Sequence, residues 1–186
     1  RNIADIVIKE VKNNKIIVVL SAMAGETNKL QSYLDALASQ NSLESDLVLT
    51  SGEQVTIGLL SAELKNKGVK SIPLLGWQIP IITDDSHEKA KILHIDNKRI
   101  EKFFEKNDVI VLAGFQGISL DGEITSLGRG GSDTTAVAIA SSVDAKRCDI
   151  FTDVDGVYTT DPNIDQNAKK ISKMSYEEVH ERETTG

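Results

Sequence analysis

Two runs constrain this chain most, Ile16-Ile17-Val18-Val19-Leu20 and Val109-Ile110-Val111-Leu112-Ala113. Both are continuously apolar and rich in β-branched residues. A strand with one wet face alternates apolar and polar residues, whereas an unbroken apolar run suits a strand covered on both faces, as in parallel sheets with helices above and below. Neither run approaches the ~20 residues that a membrane helix requires. Helical signals fall between them. Ile3, Ile6, Val7 and Val11 have helical spacing, a helix is predicted over 28–38, and another over 51–67 that Gly68 stops. A strand over 69–75 leads to the corner Gly76-Trp77-Gln78, and 83–88 reads as a loop. Asp96 and Asn97 cap a short helix carrying Ile100, Phe103 and Phe104, and Asp121-Gly122 signals a two-residue hairpin turn. A helix after Ser132 and a strand over 149–152 complete the alternation. With no internal repeats, this order predicts one α/β domain across 1–186 built on a doubly wound sheet.

At 186 residues and 40% hydrophobic content, the chain can bury a sizeable core. Its 21 Lys and Arg against 28 Asp and Glu give a formal charge of −7 with no basic block, which argues against nucleic acid or an anionic membrane as the main partner. Acidic small ligands then need local cations or Mg²⁺. Cys148 is the only cysteine, reads as a buried small hydrophobe, and fits a reducing cytoplasm. His87, His94 and His180 lack ligand-like spacing, so no metal site is expected of them. The chain opens inside a helical pattern and stops at Gly186 within another that begins at Ser175, so both ends read as truncated.

Chemistry concentrates in Gly128-Arg129-Gly130-Gly131-Ser132-Asp133-Thr134-Thr135. This run holds a cation, a carboxylate and unhindered backbone amides, and the apolar Ala136-Val137-Ala138-Ile139-Ala140 that follows reads as a helix whose N-terminus would face an anion. Thr152-Asp153-Val154-Asp155-Gly156-Val157-Tyr158 is a second site-like run. Together they indicate a nucleotide-dependent transferase. Ser21 closes the first strand at the edge where ligands gather in open α/β sheets.

The ordered set Ser21-Ala22-Met23, Ser51-Gly52-Glu53-Gln54, Gly76-Trp77-Gln78, Ala113-Gly114-Phe115-Gln116-Gly117, the glycine-rich run from Gly128, and the stretch from Thr152 to Pro162 resembles aspartate kinases over residues 16–178. The resemblance implies the amino-acid kinase fold, a three-layer α/β/α sandwich around a mainly parallel sheet. It also implies transfer of the ATP γ-phosphoryl group to the β-carboxylate of L-aspartate, the first and committing step toward lysine, threonine and methionine, by a homo-oligomer when full length. The family's Lys-Phe-Gly-Gly-type loop and its C-terminal regulatory ACT domains have no counterpart in the chain.

On this resemblance Arg129 is the candidate for the substrate α-carboxylate, since a guanidinium fork binds two oxygens at fixed geometry; its alternative is a surface ion pair. Glu53 offers charge for the substrate ammonium, or is a first-turn acid that stabilises a helix dipole. Thr27 and Ser132 supply substrate hydroxyl contacts or cap helices, and Ser21 binds ligand or is a turn hydroxyl. Asp133 resembles the family's central acidic residue, or is a helix N-terminal charge. Gly130 and Gly131 face the phosphates, while Thr152, Asp153, Tyr158 and Asp161 resemble the nucleotide-side loop. Asn163 stands where many relatives have arginine, which removes a possible phosphate or ribose contact. Phe115, Gln116 and Trp77 read as pocket wall and core. Mg²⁺ would come with ATP, held largely by its phosphates. Two rival readings are another superfamily kinase acting on glutamate, acetylglutamate or UMP, and a non-catalytic nucleotide- or amino-acid-binding module.

Overall fold

The computed structural model describes residues 2–37 and 41–151. The chain runs α1 (Asn2–Glu10), β1 (Ile16–Leu20), α2 (Glu26–Leu37), α3 (Leu43–Leu49), α4 (Ser51–Asn66), β2 (Ser71–Leu74), β3 (Ile81–Thr83), β4 (Ile92–Ile95), α5 (Asn97–Phe104), β5 (Val109–Ala113), β6 (Gln116–Ser119), β7 (Ile124–Ser126) and α6 (Gly131–Ser142).

Three strands form a parallel sheet in the order β1-β5-β2, with Ile16 opposite Val109 and Leu20 opposite Ala113. Every residue of central β5 is fully buried, and its alternation divides the core in two. Val109, Val111 and Ala113 pack with Ala4, Val7, Ile57 and Leu64 of α1 and α4. Ile110 and Leu112 pack on the other face with Ile100 of α5 and Ala138 and Ile139 of α6. This is the helix-sheet-helix layering expected of an α/β fold. β1, equally apolar in sequence, is only half-buried throughout, because β5 is its one strand neighbour among the described residues.

The second sheet, β4-β3-β6-β7, is mixed: β3 and β6 are parallel, while β3-β4 and β6-β7 are antiparallel. Only Gly114 and Phe115 separate β5 from β6, so the chain steps between sheets at the C-terminal end of the central strand.

Local chemistry sets the element ends. Gly68, at φ +82°, lets α4 finish in a Schellman motif, with Val69 N–H donating to Leu64 C=O at 2.9 Å and Gly68 N–H to Lys65 C=O at 2.9 Å. Asp96 caps α5 by accepting from Arg99 N–H. Several expectations are corrected. The hairpin turn spans Leu120, Asp121 and Gly122 rather than two residues. Gly122 N–H donates to Ser119 C=O at 3.1 Å, and Gly122, at φ +85°, is left-handed, the form of a type I turn closed by a bulge. Helix α3, not expected, is fixed by a capping box between Ser42 and Ser45. Residues 149–151 form no strand: Ile150 and Phe151 are exposed, and no strand pairs with them among the described residues. For the same reason Cys148 is exposed rather than buried. Trp77 is also exposed, on the outer side of its 3-10 turn. No helix among the described residues is long and apolar enough to cross a membrane.

Candidate active site

The cleft is assembled where β1 and β5 end. Gly52, in the first turn of α4, lets that turn approach the segment after β1; a Cβ on it would lie 2.8 Å from the Ala22 Cβ. The closeness allows Glu53 Oε1 to accept from Ala22 N–H at 3.0 Å. Glu53 is buried, and its Oε2 has no hydrogen-bond partner. Burial outweighs the backbone hydrogen bonds and pushes its pKa up to about 7.

Across from Glu53, α6 seats its N-terminus on the end of β5. A Cβ on Gly114 would meet Ser132 Cβ and Oγ at 2.8 Å, and one on Gly131 would meet the Phe115 ring at 2.8 Å. Phe115 occupies the left-handed region at φ +66°, a costly conformation for a bulky residue. It is held there by its N–H donating to Thr135 Oγ1 at 3.1 Å and its C=O accepting from Leu127 N–H at 2.9 Å. Gly130, at φ +72°, opens α6 as its N-cap. Ser132 is therefore within the first turn and not the cap, which leaves its hydroxyl beside the cleft.

The result is a cleft of about 260 Å³ lined by Ser21, Thr27, Glu53, Phe115, Gly128 and the residues Arg129, Gly130, Gly131, Ser132 and Asp133. Eight predicted site residues, from three separate stretches of the sequence, thus share one cleft. Thr152, Asp153, Tyr158 and Asp161 lie outside the described residues. Arg129 is exposed, and no ion pair or hydrogen bond involving its side chain is present among the described residues. Asp133 stands in the first turn of α6, and partial desolvation raises its carboxyl above the ordinary value. No three metal-ligating side chains gather among the described residues.

One supporting residue was read only as wall or core. Gln116 is buried, donates through Nε2 to Thr50 C=O at 3.2 Å and accepts through Oε1 from Gly76 N–H at 3.2 Å. It ties β6 to the start of α4, and so to the turn that carries Glu53. A polar amide set between Phe115 and Gly117 directly after an apolar strand is the only sequence signal of this role, and it does not distinguish a tether from pocket wall.

Fold and cleft define an α/β ligand-binding domain with its site at the C-terminal ends of parallel strands. The family model for the amino acid kinase family matches residues 1–186, and the chain belongs to that family. It is 45% identical to an aspartokinase of Geobacillus stearothermophilus over 188 residues, covering 100% of this chain and 46% of the relative. It is 46% identical to an aspartokinase of Rickettsia felis, covering 100% of this chain and 48% of that protein. The chain thus spans about half the length of the curated relatives it matches. Among solved structures, Escherichia coli aspartokinase III in complex with aspartate and ADP aligns with a TM-score of 0.78 at 26% identity, over 98% of this chain and 52% of that one. An isopentenyl phosphate kinase aligns at TM-score 0.67 and 16% identity, over 97% of this chain and 72% of that one, a likeness of fold alone.

Proposed function

We propose that the protein acts as an aspartate kinase, transferring the γ-phosphoryl group of ATP to the β-carboxylate of L-aspartate. The observation that carries this reading is the pairing in one cleft of a buried carboxylate with an unoccupied oxygen, Glu53, and an arginine without a protein partner among the described residues, Arg129. Those two charges suit the ammonium and α-carboxylate of a free amino acid. An acetylated amine or a pyrimidine nucleotide offers Glu53 no cation. The similarity to aspartokinases, one of them solved with aspartate and ADP, supports the same substrates here.

The acceptor carboxylate, with an ordinary pKa near ~3.9, is ionised at neutral pH and needs no strong base. The barrier is repulsion between two anions. Ser21, Thr27 and Ser132 would orient aspartate, while the N-terminus of α6 would direct its dipole toward the phosphates; the Gly131 N–H itself donates to Gly128 C=O at 3.1 Å and shapes the turn. Mg²⁺ that travels with ATP takes most of its ligands from phosphate and water. A cleft edge with one open carboxylate, Asp133, fits such an ion, and Asp133 is the residue that would orient it. When bound, the ion neutralises phosphate charge. Thr152, Asp153, Tyr158 and Asp161 are proposed for the nucleotide side.

The test is phosphorylation by the full-length natural protein with Mg-ATP, trapping acyl phosphate as hydroxamate and offering L-aspartate, L-glutamate and N-acetylglutamate, with UMP-dependent ADP release in parallel. Aspartate alone should give product. Preference for another acceptor would replace the reading, and binding without turnover would favour a non-catalytic module. Arg129→Lys keeps the charge but loses the fork, and should raise the aspartate KM about tenfold or more.

A further inference from the structure

Asp46, on α3, is fully buried and does not line the cleft. A buried carboxylate persists only where donors occupy its oxygens. Oδ1 accepts from Ser126 Oγ at 2.6 Å and from Glu88 N–H at 3.0 Å, and His87 Nδ1 lies 2.7 Å from Oδ2. These donors lead to the substrate cleft by two routes. Ser126 closes β7, and Leu127, Gly128 and Arg129 follow it directly. Glu88 is held at φ +62°, a left-handed conformation costly for a residue with a side chain, and its carbonyl oxygen lies 3.0 Å from the point where a Gly128 Cβ would stand. Ala90 N–H donates to Ser126 C=O at 2.9 Å and locks the two routes together. The other imidazole nitrogen of His87 is 3.6 Å from Glu123 Oε2, so the ring bridges α3 to the β6-β7 hairpin.

We propose that Asp46, His87 and Ser126 form a positioning hub that sets where Gly128 and Arg129 stand, and through Arg129 sets the affinity of the cleft for the α-carboxylate of its acceptor. The proposal rests on the role given to Arg129 above. None of the three residues touches substrate; they act through the backbone that carries the guanidinium. A hub of this kind affects acceptor binding more than the transfer step, whereas a purely structural cluster lowers the amount of folded protein and leaves KM alone.

Asp46→Ala would vacate a fully buried position and risks misfolding, so the decisive variants are His87→Ala, His87→Asn and Ser126→Ala in the full-length natural protein. Asn can present a side-chain N–H near the position of Nδ1. Backbone amide exchange over residues 127–131 should quicken about fivefold or more in H87A and S126A, stay near wild type in H87N, and leave β5 unaffected. The aspartate KM should rise about three- to tenfold in H87A and S126A, with kcat and nucleotide KM within about twofold, and H87N should restore it. Unchanged exchange over 127–131, or a loss in kcat at constant aspartate KM, would overturn the hub. Exchange is read on the unliganded protein, so it decides the hub even if the wild-type protein phosphorylates no aspartate, a result that would count against the kinase reading alone.

Discussion

Glu53 is asked to do two opposed things. In the proposed reading its charge meets the ammonium of the acceptor, yet in the unliganded protein burial disfavours that charge and lifts its pKa from 4.5 to about 7. The sign follows from proton counting. Between about pH 4.5 and 7 the folded state keeps a proton that the unfolded state has released, so stability falls as pH rises through this window and levels off above it. The cost at pH 8 is up to about 3 kcal/mol, less whatever solvent screens. Glu53→Gln should therefore melt higher than wild type at pH 8, with the gap closing below pH 5, while its aspartate affinity falls. Paired thermal melts at the two pH values check this, and an equal gap at both would remove the buried-charge account. For wild type, kcat/KM for aspartate should climb through pH 7 as Glu53 ionises. The place of Glu53 in the cleft was legible because its motif sits at a predicted helix start; the Asp46 cluster was not, because its partners His87 and Ser126 lie 41 and 80 residues away and leave no local pattern.

Among elements, the seating of α6 on the end of β5 determines whether Ser132 and Asp133 face the same space as Glu53. The fit depends on Gly114, where an added Cβ would meet Ser132 Cβ and Oγ at 2.8 Å and Ser132 Cα at 2.9 Å. Backbone cannot yield as a side-chain tip can. Gly114→Ala should cost about 1–3 kcal/mol in urea denaturation and displace the start of α6, with a higher aspartate KM than wild type. A normal KM in a destabilised G114A would show that the cleft tolerates the shift. The helices with strong start and stop chemistry, α4 with Gly68 and α5 with Asp96, were legible to within a residue or two. Helix α3 was missed because its seven residues lack a long apolar period and its start is marked only by a pair of serines. The hairpin was located correctly but its turn type was not, since Asp-Gly suits both a two-residue turn and a longer one ending in a left-handed glycine.

For the molecule as a whole, unbroken apolar runs revealed the layering but not the division into two sheets. β3 and β7 have three residues each, too short to display a pairing preference, and whether neighbours run parallel or antiparallel depends on connections that composition does not encode. The layering makes β5 the strand on which both halves of the core depend, and Leu112, opposite Val19 and Leu74, is fully buried on the α5-α6 face. Leu112→Ala should cost about 2–5 kcal/mol, because the close packing around it can collapse only partly into the space left. Leu120→Ala, at a residue 81% exposed on the hairpin, should stay within about 0.5 kcal/mol. Leu112 does not line the cleft, so the folded fraction of L112A should retain a near wild-type aspartate KM. Saturating aspartate should then raise the stability of both proteins equally, by about 2.7 kcal/mol at a hundred times Kd, since that gain depends only on affinity for the folded state. A smaller ligand-induced gain in L112A than in wild type would mean that packing beneath the sheet reaches the cleft, and that core and site cannot be treated as separate scales in this fold.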